Sequence, residues 1–416
     1  MFTSFRFQTL CLSALFLFGC AAAQEARAPE QKWEAPPSAR GDVVDELHGE
    51  KVADPYRWLE DSEAPEVRTW IEAQNTYTNG LLSSIEGRAR IQERMTKLWD
   101  YERYSTPWKQ GGKYFWYRND GLQAHAVLYT AESPKAQGRV LIDPNTFSED
   151  GTVALSGVWV SEDGSKAVYA KSDAGTDWRQ LFVLDVATGE LLSDHLKWIK
   201  FSSVAWTHDG AGFFYARYDA PEDPKNLEAV QQGQKLYYHR LGTEQSADQL
   251  VLERPDKPRW GFSPYVTEDG STLLIYNWEG TEPRNRIFYV DLAKKWEVKP
   301  LLMDFDARYS VIGKVGERLY VKTDNGAPRG RVITFKLSSP EPTGWGEVIP
   351  ESEHTLTGVG LVGEHFIVQT MRDAHSHVAV HDLKGAHVRD VKLPGIGTAA
   401  GFGGKRADTE TFYTYT

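Results

Sequence analysis

The stretch Asp163-Gly-Ser-Lys-Ala-Val-Tyr-Ala-Lys171 decides the fold. Asp-Gly supplies the positive-φ residue that a tight hairpin needs, and the six residues from Lys166 read as a short strand leaving that turn. Working outward, the same grammar recurs in Lys113-Tyr-Phe-Trp-Tyr-Arg118, Gly212-Phe-Phe-Tyr-Ala-Arg217, Thr272-Leu-Leu-Ile-Tyr276, Arg318-Leu-Tyr-Val-Lys322 and His365-Phe-Ile-Val-Gln369. Each is followed by a second strand: Leu128-Tyr129, Leu181–Asp185, Leu236–His239, Ile287–Asp291, Val332–Phe335 and Val378–Asp382. The turn glycines Gly112, Gly164, Gly210, Gly270, Gly316, Gly363 and Gly404 are spaced by 52, 46, 60, 46, 47 and 41 residues. A period near the length of one four-stranded sheet is the signature of a radial repeat, the β-propeller; the competing reading is a sandwich with evenly spaced hairpins. The expectation is a mainly β chain, a seven-bladed propeller whose seventh blade is incomplete, because the sequence stops at the aromatic strand Thr411–Thr416. Such an exposed edge is one that proteins usually cover, so the chain reads as truncated.

Composition agrees. Among 416 residues, Trp 14, Tyr 19 and Phe 18 favour half-buried pleated surfaces. Lys+Arg 47 against Asp+Glu 58 gives −11, which excludes a nucleic-acid partner, since a polyanion needs a basic footprint. Cys11 and Cys20 are the only cysteines, so the body of the chain has no disulfide and no thiolate site.

Residues 1–23 read as an export signal, with Arg6 before a short apolar run from Leu10 to Phe18. Two cleavage readings stand side by side. Ala21-Ala22-Ala23 fits release of a soluble product, and Leu17-Phe18-Gly19-Cys20 resembles a bacterial lipobox with a lipid on Cys20. The expected location is outside the cytoplasm, in a bacterial periplasm, free or lipid-anchored. Residues 24–40 read as a Pro/Ala/Glu-rich tether, 41–100 as a helical segment, and 101–416 as the propeller. The two helices of the segment carry apolar stripes, Trp70 and Ile71 on one and Ile91, Met95, Leu98 and Trp99 on the other, that need a covering surface. The polar insertion Asp219–Lys235 reads as an exposed loop.

Few residues carry a catalytic or metal-binding signature. There is no Gly-x-Ser-x-Gly elbow, no His-Glu-x-x-His and no P-loop. Gly261-Phe-Ser263-Pro-Tyr265 reads as a turn. Gly358-Val-Gly360-Leu-Val-Gly363 matches a dinucleotide fingerprint but leads into a strand, without the helix N-terminus that holds a pyrophosphate. His375 and His377 share a strand face and, with His381, form the best metal candidate, against the plainer reading of surface histidines. No cofactor and no metal is expected.

His48-Gly-Glu-Lys-Val-Ala-Asp54-Pro55-Tyr56-Arg57-Trp58-Leu59-Glu60-Asp61, Leu141-Ile-Asp143-Pro144-Asn145, Asp150–Leu155, Ala205-Trp206-Thr207-His208-Asp209-Gly210 and Gln234–His239, in this order, resemble the N-terminal half of prolyl oligopeptidases. The resemblance runs from about residue 40 to the end. It implies a propeller that caps an α/β-hydrolase domain and admits only short peptides to a serine nucleophile that cleaves after proline. The helical segment would pack on that hydrolase domain, whose Ser, Asp and His are absent from these residues, so the chain alone is expected to be inactive. Phe201 matches a propeller aromatic that lines the substrate site; at two further lining positions this sequence has Gly261 and Thr281. The insertion 219–235 falls where the family has a gating loop. The expected partners are short proline-containing peptides and the hydrolase domain. The alternative is a stand-alone propeller that binds proline-containing peptides or a protein partner without catalysis.

Overall fold

The computed structural model describes residues 34–220 and 231–416. The export signal, Cys20 and most of the 219–235 insertion lie outside the described residues. The chain divides into two compact units, one to Met95 and one from Thr96.

The first unit opens with a hairpin, Val44–Leu47 against Glu50–Ala53, turned by His48 and Gly49 at φ 54° and 86°. Arg57 then bonds both Asp45 and Asp54. The first helix, α1, runs Pro65–Ser84, with proline at its start where the missing N–H costs nothing. Trp70 on α1 is half-covered: its Nε1 donates to Ser38 Oγ at 2.9 Å and its ring meets Trp58 edge-on at 6.2 Å. The second helix, α2, runs Arg88–Trp99, so its last turn belongs to the second unit. Its Ile91, Met95, Leu98 and Trp99 are all exposed, leaving the stripe uncovered by described residues.

The second unit is a ring of antiparallel sheets, and the count of seven blades is corrected to six. Blade 1 pairs Arg103–Tyr104 and Trp108–Gln110 with Lys113–Asn119, followed by Val127–Ala131 and Arg139–Ile142. Blades 2 to 6 each have four strands in sequence order and begin at Ala154, Val204, Trp260, Tyr309 and Thr355. The seventh period yields only a hairpin of two strands, Ala399–Gly403 with Phe412–Tyr415. The reason is physical. A blade buries both faces only with its outer strands in place, and turn spacing counts where repeats begin rather than how many strands follow. The hairpin fills the gap between blades 6 and 1: Phe402 packs with Val362 and Val378, while Phe412 meets Tyr114 edge-on at 6.1 Å.

The strands legible in the sequence are the second and third of each blade, and the first strands line the axis. The Asp-Gly turns form as read, with Gly164, Gly210 and Gly270 at φ 70°, 64° and 68°. Asp163, Asp209 and Asp269 each accept a Ser or Thr hydroxyl at 2.6 Å (Ser161, Thr207 and Thr267), which fixes the turn.

The core lies between neighbouring sheets. Leu181 and Leu196 of blade 2 meet Phe213 and Tyr215 of blade 3, all fully buried, each contributing about 1.5–3 kcal/mol. A polar knot joins the same pair of blades. His239, 1 % exposed, lies between Asp248 (2.7 Å from Nδ1) and Asp194 (3.0 Å from Nε2), and Asp248 also accepts the Tyr215 hydroxyl at 2.5 Å.

Candidate functional site

Antiparallel pairing sends every turn between first and second strands to one end of the ring. The connections that enter the first strands emerge at the other end, and Phe201 sits there, in the loop between Ile199 and Val204. Its φ is +54°, and Trp198 three residues earlier is at +65°. Bulky residues avoid this region, and such strain concentrates where a side chain must be presented. Phe201 is 47 % exposed, although its ring is large and apolar.

Trp278, at the end of blade 4's second strand, receives the edge of Phe201 at 5.9 Å and 90°. The Lys200 ammonium lies 5.2 Å from the Phe201 ring centre and 5.5 Å from that of Trp178, and pairs with Asp177 at 3.6 Å. Trp178 meets Trp198 and Tyr218 edge-on at 5.8 and 5.9 Å. The result is an aromatic shelf with one cation, a surface suited to flat apolar groups.

Gly261 explains one departure noted in the sequence. A Cβ there would fall inside the Trp278 indole, so the indole occupies the space a side chain at 261 would use. Thr281 is exposed, on the loop after blade 4's second strand. Ser263 lies in the strand Trp260–Val266 rather than in a turn, and its hydroxyl bonds the Ser203 hydroxyl at 2.7 Å.

Sequence reasoning missed Gln234. Its side chain, in a residue 2 % exposed, donates to the Lys200 carbonyl at 2.7 Å and accepts the Phe262 N–H at 2.5 Å. It ties the Phe201 loop to the first strand of blade 4. Nothing in the local sequence marks this, because both partners are remote along the chain.

The opposite end is crossed by the hairpin's own loop. Lys405 Nζ meets Glu162 of blade 2 at 2.5 Å, and Glu162 also accepts Gln110 Nε2 of blade 1 at 3.0 Å. The Arg406 N–H donates to Glu268 of blade 4 at 2.8 Å, and its guanidinium pairs with Glu364 of blade 6. Lys109 pairs with Asp408 at 3.3 Å, and that contact raises the lysine pKa. One loop thus touches four blades and lies across the axial mouth.

The histidines are not gathered into a metal centre. His381 bonds the Gly385 carbonyl at 2.9 Å, His377 approaches Asp390 at 3.4 Å, and His375 lies 3.5 Å from the Asp373 carbonyl. Among the described residues no group of three or more His, Cys, Asp and Glu could hold a metal ion. Gly358 and Gly360 lie within the strand Thr355–Val362, and the residues after Gly363 form the next strand.

The sequence profile of the prolyl oligopeptidase N-terminal β-propeller domain matches residues 36–416. The chain is 34 % identical over 403 residues to a prolyl endopeptidase of Elizabethkingia miricola, covering 97 % of this chain and 56 % of that protein. A dual-function macrocyclase-peptidase of Amanita bisporigera is 30 % identical, with 88 % and 54 % covered. A solved prolyl endopeptidase structure superposes with TM-score 0.85 at 36 % identity, covering 92 % of this chain and 56 % of that one. Prolyl oligopeptidase B from Galerina marginata, bound to a 35mer hydrolysis and macrocyclization substrate, superposes with TM-score 0.81 at 27 % identity, covering 91 % and 56 %. The chain spans about half the length of these relatives, 54–56 %.

Proposed function

The chain belongs to the prolyl oligopeptidase family, as its N-terminal β-propeller part, and from that membership we propose that it admits and orients short proline-containing peptides for a serine peptidase that cleaves after proline. These residues carry no Gly-x-Ser-x-Gly elbow, so their part in the reaction is gating and binding. The nucleophile belongs to an α/β-hydrolase domain facing the end of the ring that bears Phe201. The observation that supports this reading is Phe201 itself, a strained, half-exposed aromatic braced edge-on by Trp278. A proline ring packs on such a face without needing a hydrogen bond. Residues 1–23 would direct export, with Cys20 the lipid site if the lipobox is used. Mass spectrometry of the mature N-terminus distinguishes the two cleavages.

Calorimetric titration of the 416-residue chain with a proline-containing octapeptide tests the binding role. Phe201→Ala is expected to weaken binding about tenfold, the loss of one aromatic contact. Unchanged affinity in Phe201→Ala would remove the site. Hydrolysis of a Gly-Pro amide by the purified chain, stopped by a fluorophosphonate, would overturn the assignment of gating without cleavage.

A further inference from the structure

Blade 2 carries a second feature at the same end of the ring, sharing Trp178 and Trp198 with the aromatic shelf but lined by neither Phe201 nor Trp278. A cavity of about 300 Å³ opens beside the ends of its strands, lined by Lys171, Arg179 and Lys197 together with Trp178, Trp198 and Phe182. The local cause is a bulge. Register breaks between the Leu181–Leu196 and Arg179–Ile199 pairs, so Lys197 and Trp198 together oppose Gln180. Bulges re-aim side chains, and here Trp198 takes positive φ as well.

Three cationic residues line the cavity, and none shares an ion pair with a carboxylate among the described residues. Asp173 is the one acid on the cavity wall, and Asp177 nearby is engaged by Lys200. Lys171 has ring faces for neighbours: its Nζ lies 4.0 Å from the centre of Phe147 and 5.0 Å from that of Phe182. Ring faces attract an ammonium but take none of its N–H bonds. Burial also lowers the Lys171 pKa, the direction expected for a cation short of anionic neighbours. On a chain of net charge −11 this is a positive island.

The Phe182 ring is already stacked by Tyr169 and His195, at 5.5 and 4.5 Å, so the flat surface left to the cavity is that of the Trp198 and Trp178 indoles. The cavity therefore offers an excess of positive charge beside an indole wall.

We propose that this cavity binds a carboxylate carried on an aromatic body, with Arg179 and Lys197 taking the carboxylate and the Trp198 indole lying against the ring. A free aryl acid and the C-terminal aromatic residue of a peptide share this chemistry. The proposal is separable from the peptide-gating role through Phe201 and Trp278, which do not line the cavity, although Trp178 and Trp198 belong to both.

The test is calorimetric titration of the full chain with N-acetyl-phenylalanine, its carboxamide, 3-phenylpropionate and inorganic phosphate. The acid is expected to bind about tenfold or more tightly than the carboxamide, the scale of one charge-assisted contact. Arg179→Met with Lys197→Met is expected to abolish that preference, and Trp198→Leu to weaken binding of the acid. Phe201→Ala is expected to leave it unchanged. Binding of 3-phenylpropionate equal to N-acetyl-phenylalanine assigns the site to free aryl acids, and weaker binding assigns it to peptide C-termini. Equal binding of acid and carboxamide, tighter binding of phosphate than of either acid, or no saturation by about 10 mM would overturn the proposal. Circular dichroism of the double variant checks that it folds, and Lys197→Met alone, at an exposed position, serves if the pair does not.

Discussion

The indole of Trp278 occupies the space that a side chain on Gly261 would need, and the same indole braces Phe201. Glycine at 261 is thus a condition for the aromatic shelf rather than a neutral gap in it. Gly261→Val is expected to push Trp278 aside at a cost of about 1–3 kcal/mol, the usual cost of overpacking. Phe201 would lose its edge contact, worth about 0.5–1.5 kcal/mol. Urea denaturation and octapeptide titration on the same variant should therefore both shift. A variant with wild-type stability and affinity would show that the indole moves freely.

Gln234 holds the Phe201 loop to blade 4 through one donated and one accepted bond. Gln234→Ala leaves the Lys200 carbonyl and Phe262 N–H without these partners in a buried setting, at a cost of about 1–3 kcal/mol. Because Gln234 bonds only backbone, peptide affinity should fall through mobility of Phe201 rather than through a lost ligand contact. Backbone relaxation of residues 200–203 is the measurement. Unaltered order there, with reduced affinity, would contradict the positioning role.

These two cases mark where the sequence was legible. Turn glycines and the strands beside them follow from local conformational demands, so Gly164 with Lys166–Lys171 could be read directly. Phe201 could be singled out by resemblance, but its positive φ could not, since nothing local requires it. Gln234 bonds residues 34 and 28 positions away, beyond any local pattern. The blade count failed for a related reason: Gly404 announces a turn, and only the structure shows two strands around it instead of four. Trp70 reads as part of a stripe that needs a cover, and Ser38 and Trp58, outside its helix, supply part of one.

The His239 knot predicts a pH dependence. Burial alone would lower the imidazole pKa, but the hydrogen bonds and charges of Asp248 and Asp194 outweigh it, and the net shift is upward. A raised folded value means the stabilisation is fully present below the unfolded pKa of about 6.5 and is lost as pH rises through the folded value. His239→Gln, which leaves the two carboxylates without a cation, is expected to cost about 3–5 kcal/mol near pH 6. The gap between wild type and variant should narrow as the pH rises through the folded value. Unfolding free energies measured from pH 6 to 9 test this; a constant or widening gap would mean the ring is neutral in the fold.

The loop across the axial mouth is held by contacts of a different kind. Side chains in the Lys405–Glu162 and Arg406–Glu364 pairs are 26–61 % exposed, so each pair is worth about 0–1 kcal/mol and is screened by salt. Lys405→Met with Arg406→Met is therefore expected to change global stability by less than about 1–2 kcal/mol while loosening the loop itself. Its backbone bonds report that loosening. Gly363 N–H donates to the Lys405 carbonyl at 3.1 Å, and Arg406 N–H donates to Glu268 at 2.8 Å. Hydrogen exchange at these two amides should quicken in the double variant, and in wild type when salt is raised from about 0.05 M to 0.5 M, where the Debye length falls below the span of the pairs' surroundings. Exchange that ignores both changes would mean the loop is fixed by its packing against blades 6 and 1, with the charges incidental.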